Sequence, residues 1–169
     1  MNMSAAADSK LKIAQAETPA DLIAVRELFV EYAKSLNFSL CFQGFDQELA
    51  SLPGDYVPPA GRLLLAEFYN RRAGCVALHR LEDGVCEMKR LYVRPEFRGH
   101  KIGRRLAEVV IAEARAAGYR LMRLDTVAPV MREAVQLYRE LGFYEIAAYR
   151  PNPMKGTLYL ELQLAEPAA

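Results

Sequence analysis

Residues Glu87–Leu106 read Glu-Met-Lys-Arg-Leu-Tyr-Val-Arg-Pro-Glu-Phe-Arg-Gly-His-Lys-Ile-Gly-Arg-Arg-Leu. A strand rich in apolar residues ends at Val93, and Pro95, with no N–H to give a ladder, stops it. A short loop carrying Arg98 and Gly99 then runs into a helix with Arg104 and Arg105 in its first turn. The helix dipole disfavours cations at that end by about 0.3–1 kcal/mol each. Two readings account for them. An anion at the helix start could sit against the free N–H groups with Arg98, Lys101, Arg104 and Arg105 around it, as a di- or polyphosphate would. Alternatively, the arginines form a solvated face beyond an ordinary turn.

Working outward on the C-terminal side, Ile102, Leu106, Val109, Val110 and Ala114 predict a helix over 102–117, with Gly118 as its cap. Leu121–Thr126 reads as a buried strand and 130–141 as a second helix, closed by Gly142. Strands follow at 143–149 and 157–164, around the connection Arg-Pro-Asn-Pro-Met-Lys-Gly. On the N-terminal side, Asp83-Gly84 marks a hairpin turn ahead of the strand 86–93. Strands are expected at 62–69 and 75–81, joined by a turn over 70–74. Residues 37–61 are irregular. They contain a short helix over 45–52, which Pro53-Gly54 terminates. A helix is expected over 19–36: Thr18 can cap it, Pro19 suits its first position and Asp21 favours its N-terminus. An extended piece over 11–16 precedes it, and residues 1–10 read as a disordered tail ahead of a single domain over 11–169. The strand–helix–strand path from 86 to 126 requires a parallel crossover. The fold class is therefore mixed α/β.

Composition bounds the function. The chain has 169 residues, of which 52% are hydrophobic and 25% charged, too apolar for a disordered chain. Lys and Arg number 22 and Asp and Glu 21, a net charge of +1, which argues against general capture of nucleic acid or an anionic membrane. Cys41, Cys75 and Cys86 are odd in number and widely spaced. They suit neither a disulfide framework nor a zinc site and are expected as small buried hydrophobes. No apolar run approaches the roughly 18–20 residues of a membrane span, and the N-terminus lacks a secretion-signal pattern. The expectation is a cytoplasmic protein without a metal.

Arg98-Gly99-His100-Lys101-Ile102-Gly103, following a hydrophobic strand, resembles the Arg/Gln-x-x-Gly-x-Gly/Ala signature of the GNAT superfamily of acyl-CoA-dependent N-acyltransferases. Leu137-Tyr138-Arg139-Glu140-Leu141-Gly142-Phe143 resembles that superfamily's Leu-Tyr-x-x-x-Gly-Phe element, and the element order agrees over residues 11–164. One departure is Lys101, where the signature has its middle glycine. A side chain there would either crowd the pyrophosphate loop or add a cation beside it.

The resemblance implies a central mixed, mostly antiparallel sheet of six to seven strands with a V-shaped splay and about four flanking helices. It implies that acetyl-CoA binds between strands 86–93 and 121–126. Leu91, Tyr92 and Val93 would meet its pantetheine arm, and the loop Arg98, Gly99, His100, Lys101, Ile102, Gly103 and Arg104 its pyrophosphate. The N–H near Leu91 would serve the oxyanion. The reaction would be direct transfer of an acetyl group to a primary amine, most simply of a small molecule such as an amino acid. A protein lysine or N-terminus is the alternative acceptor, and a non-catalytic acyl-CoA-binding module is a reading of another class.

Tyr138 matches the superfamily's general acid by position, although the residue alone would read as a core tyrosine. Glu87 is the candidate base or amine anchor, against a reading as an outward strand glutamate paired with a cation; Glu31 and Asp125 are weaker candidates. Phe42, Tyr149 and Asn152 are candidates for the acceptor pocket, Gln43 is a further candidate for orienting polar groups there, and Arg150 would suit an acceptor carboxylate. His79 reads as structural. The expected partners are acetyl-CoA and the amine, with a homodimer left open.

Overall fold

The computed structural model describes residues 10–166, apart from the side chain of Phe42. Among the described residues the chain forms seven strands and four α-helices. The strands are β1 (Leu11–Gln15), β2 (Arg62–Phe68), β3 (Arg71–Glu82), β4 (Val85–Val93), β5 (Leu121–Val127), β6 (Tyr144–Ile146) and β7 (Thr157–Gln163); the helices are α1 (Pro19–Ser35), α2 (Phe45–Ser51), α3 (Ile102–Ala116) and α4 (Arg132–Glu140). The strands make one sheet in the order β1-β2-β3-β4-β5-β7-β6. The sheet is antiparallel except between β4 and β5.

Each face of the sheet carries its own core. On one side Leu106, Val110 and Ala114 of α3 and Tyr138 of α4 pack on Leu64, Leu78, Met88 and Met122. On the other, Val25, Leu28 and Phe29 of α1 and Phe45 of α2 pack on Leu63, Leu65, Cys75 and Ala77. Strand alternation sets this division: in β2, Leu64 faces α3 while Leu63 and Leu65 face α1.

The pairing of β4 with β5 positions the site. It covers Val85↔Leu121, Cys86↔Met122 and Glu87↔Arg123 and goes no further. Beyond it, β4 continues to Val93 along β3 and β5 to Val127 along β7. The sheet thus opens into a V whose walls are two well-anchored strands.

Some boundaries differ from expectation. The β2–β3 turn is only Tyr69-Asn70, with φ of 48° and 62°, the left-handed pair whose twist suits a tight hairpin. Gly74 lies inside β3; a Cβ there would come within 2.4 Å of the Tyr92 carbonyl oxygen, so it permits close approach of β3 to β4. β6 is shorter than the strand expected over 143–149, because the chain leaves the ladder after Ile146. Residues 1–9 of the expected tail lie outside the described residues. Lys10 is part of the fold, its carbonyl accepting the Tyr69 N–H at 2.8 Å. No helix among the described residues is long and apolar enough to cross a membrane.

Candidate active site

A cleft of about 700 Å³ fills the V, within the range of roughly 300–1,000 Å³ usual for small-molecule sites. Residues 88–93 form one wall and Leu124, Asp125 and Thr126 the other; Leu137 and Tyr138 of α4 close one side, and Tyr32, Leu36 and Gln43 the side toward α1. The β4 wall is irregular. Its register with β3 shifts between Cys75 and Ala77, and Arg90 has φ of 61°. Such a bulge leaves backbone groups outside the ladder, here beside Leu91 at the cleft. Arg90 is 4% exposed. It is held by Glu48, whose two carboxylate oxygens accept from Nε at 2.8 Å and Nη2 at 3.2 Å, and it lies over the Phe45 ring at 5.2 Å.

The mouth of the cleft is the loop entering α3. Arg98, Gly99, Lys101, Ile102 and Gly103 line it. Lys101 takes the left-handed conformation, φ 60°, as the N-cap and offers no side-chain cap. The first helical bond is Arg105 N–H to the Lys101 carbonyl at 3.1 Å, so the amides of Ile102, Gly103 and Arg104 lack partners within the helix. A Cβ on Gly99 would meet nothing within 4 Å, and one on Gly103 only a Val93 methyl at 3.7 Å. Open space, free amides and the cations Arg98 and Lys101 suit a diphosphate. Two expected phosphate contacts stand elsewhere. The His100 ring packs on Phe68 at 4.8 Å, and the Arg104 guanidinium pairs with Glu140 of α4. Neither side chain lines the cleft, because each finds a partner on the outer surface of the loop.

Tyr138 lines the cleft, as Asp125 does. It is 8% exposed, with its ring edge-on to Phe143 at 5.6 Å. Burial raises its phenol pKa, and the neighbouring Tyr32 and Asp125 add to this, which keeps the proton on the oxygen.

Glu87 is fully buried and stands behind the cleft lining. One carboxylate oxygen shares a hydrogen bond with His79 Nε2 at 2.8 Å; the other accepts from the Tyr149 hydroxyl at 2.6 Å and from the Arg150 guanidinium. Burial, reinforced by Lys89 and Arg150, brings the His79 pKa down to about 4, so this ring is a neutral partner. Tyr149 and Arg150 are thereby committed to Glu87. Asn152 donates to Asp125 at 3.2 Å. Phe42 falls in the turn Cys41–Gln43, and its side chain lies outside the described parts. Of the cysteines, Cys75 and Cys86 are buried as expected, whereas Cys41 is exposed on that turn; burial pushes the Cys86 thiol up to about 12.

The sequence reading missed Lys89, which lines the cleft, and ranked Asp125 low. The signal for Lys89 was its two-residue spacing from Glu87, which puts two charges on one face of an otherwise apolar strand. Gln43, expected from the sequence to orient polar groups, also lines the cleft.

A sheet split beside a helix start with free amides is the arrangement that the resemblance to the acyl-CoA-dependent transferases implied. The comparisons with known proteins agree. Residues 24–143 match the Acetyltransferase (GNAT) family, and the chain belongs to that family. It is 38% identical over 160 residues, 94% of this chain and 98% of the relative, to an uncharacterized N-acetyltransferase of Schizosaccharomyces pombe. Its fold matches a GNAT acetyltransferase from Staphylococcus aureus Mu50 with a TM-score of 0.75 at 20% identity, covering 92% of this chain and 99% of that one. It also matches a Salmonella typhimurium protein solved with acetyl-CoA, with a TM-score of 0.67 at 24% identity, covering 95% and 97%. The protein is an acyl-CoA-dependent N-acyltransferase, with acetyl-CoA as its cosubstrate.

Proposed function

We propose that the protein acetylates the primary amine of a small molecule, such as an amino acid or a related metabolite, by direct transfer. The observation that carries this is that a buried phenol, Tyr138, and a carboxylate, Asp125, line one cleft that α1 and the Cys41–Gln43 turn border on the other side. Such a border leaves less room for a folded protein surface than for a small amine.

Bound in the cleft, acetyl-CoA supplies an acetyl group activated as a thioester. The amides at the start of α3, with Arg98 and Lys101, hold the diphosphate. Backbone groups freed by the bulge at Leu91 meet the pantetheine arm and the thioester carbonyl. Asp125 takes the proton from the attacking amine as the C–N bond forms. The Tyr138 hydroxyl gives its proton to the sulfur as the C–S bond breaks, and its burial keeps that proton in place until the thiolate develops. Glu87 acts as an anchor. Through Tyr149 and Arg150 it fixes the β6–β7 connection behind the acceptor.

The test is release of free thiol from acetyl-CoA across a panel of amino acids, simple amines and lysine- or N-terminus-bearing peptides. Turnover with free amines and not with peptides is expected; the reverse would give the acceptor role to proteins.

A further inference from the structure

On the β4 wall a cation lacks a matching anion. Lys89 lies two residues from Glu87, in register with Ala77 on the α1 side of the sheet, and it lines the cleft. Its side chain is 10% exposed, yet its ammonium comes no nearer to an anion than 3.8 Å, to a Glu48 oxygen. Glu48 is already engaged by the Arg90 fork at 2.8 and 3.2 Å. Lys89, Arg90 and Glu48 therefore sum to one positive charge in a largely dry place, and that charge faces the cleft. Such a charge gains from a bound anion, since water there is too scarce to solvate it. The opposite wall carries Asp125. On the same side, the Gln43 side-chain oxygen is buried and accepts from no donor among the described residues.

We infer that Lys89 recognises a carboxylate on the acceptor, making the preferred substrate a small primary amine that carries one negative charge. The walls have the polarity of a zwitterion. Lys89 meets the carboxylate, and Asp125 and the Gln43 oxygen meet the nitrogen end. Asp125 also disfavours a dianion, which one spare positive charge could not balance. Arg150, the cation that the sequence suggests for this task, is held by Glu87 instead.

This deepens the amine-acetyltransferase reading and rests on it. The experiment compares kcat/KM for amino acids with that for their decarboxylated amines, phenylalanine against phenethylamine among them, and for a matched aminoalkylphosphonate. The unmodified protein should favour the carboxylate at least tenfold over both. In Lys89→Met, which keeps length and removes charge, that preference should collapse at least tenfold, mainly through KM, and Lys89→Arg should restore part of it. A preference absent from the unmodified protein, or unchanged in Lys89→Met with an intact thermal unfolding transition, would overturn the assignment. A phosphonate preferred over the carboxylate would overturn it too. Should no small amine turn over, the amine reading falls separately. Calorimetry of N-acetylphenylalanine against N-acetylphenethylamine on the coenzyme A-loaded protein then still decides: Lys89-dependent binding of the former sustains carboxylate recognition, and equal or absent binding ends it.

Discussion

Tyr138 shows how far one residue can be read from sequence and where reading stops. Its place in Leu137–Phe143 marks it through family resemblance, but the same helix spacing suits a core tyrosine. The structure gives the ring a core contact on Phe143 and sets the side chain at the border of the cleft. Replacing Tyr138 with Phe removes one oxygen and keeps the packing. Turnover should fall at least tenfold, and toward about 10²–10⁴-fold if the full general-acid contribution is lost, while coenzyme A affinity by calorimetry changes less than twofold. Unchanged turnover would mean that sulfur leaves without this donor. Glu87 and Asp125 illustrate the opposite case. Both carboxylates are visible in the sequence, but which of them reaches the cleft depends on where β4 and β5 stop pairing, and a one-dimensional pattern does not record that point. With Asp125 as base, Asp125→Asn should lower kcat by tenfold or more. Glu87→Gln, which keeps the shape of the His79–Tyr149–Arg150 anchor, should cost less. The opposite ranking would return the base role to Glu87.

At the scale of elements, local chemistry predicted best where one residue type has one use. The start of α1 is such a place. Thr18 Oγ1 accepts the Asp21 N–H at 3.1 Å, and Asp21 accepts the Thr18 and Glu17 N–H groups at 3.2 and 3.1 Å. Thr18→Ala should lower unfolding stability by about 1 kcal/mol, read from chemical denaturation. The N–H groups of Glu17 and Thr18 hold the Asp21 carboxyl below its ordinary pKa of 3.8. The sign follows from linkage: with the folded pKa below the unfolded one, the gain is present above about 3.8 and fades as acid protonates the folded form. The loop into α3 was equally legible as an open turn ahead of a helix, although the first-turn arginines that suggested an anion there pair with carboxylates, Arg104 with Glu140 and Arg105 with Glu108. Its detail was not. Lys101 adopts the left-handed backbone that a glycine would take without strain, and His100 and Arg104 turn outward because Phe68 and Glu140 wait there. Those two partners lie 32 and 36 residues away in the chain, beyond the reach of local patterning.

At the scale of the whole molecule, the decisive feature is a sheet whose two parts share only three parallel residue pairs, Val85–Glu87 with Leu121–Arg123. On one side of the split stand β1–β4 and on the other β5, β7 and β6. A ligand lying in the V touches β4, the start of α3, β5 and α4 together, so it adds contacts across the seam that the ladder leaves open. Coenzyme binding to the folded state alone stabilises by about 2.7 kcal/mol at a hundredfold excess over Kd. For a chain of this size each kcal/mol moves the unfolding midpoint by roughly 2–4 °C, so a rise of roughly 5–11 °C is expected on scanning calorimetry with coenzyme A. Hydrogen exchange should slow most at residues 88–93, 102–104 and 124–127, the backbone on both walls and at the mouth. Arg98→Ala should reduce the rise at fixed ligand concentration by weakening the diphosphate contact. Protection confined to one wall would mean that the ligand does not bridge the split, and the V would then be a shape without the clamp assigned to it.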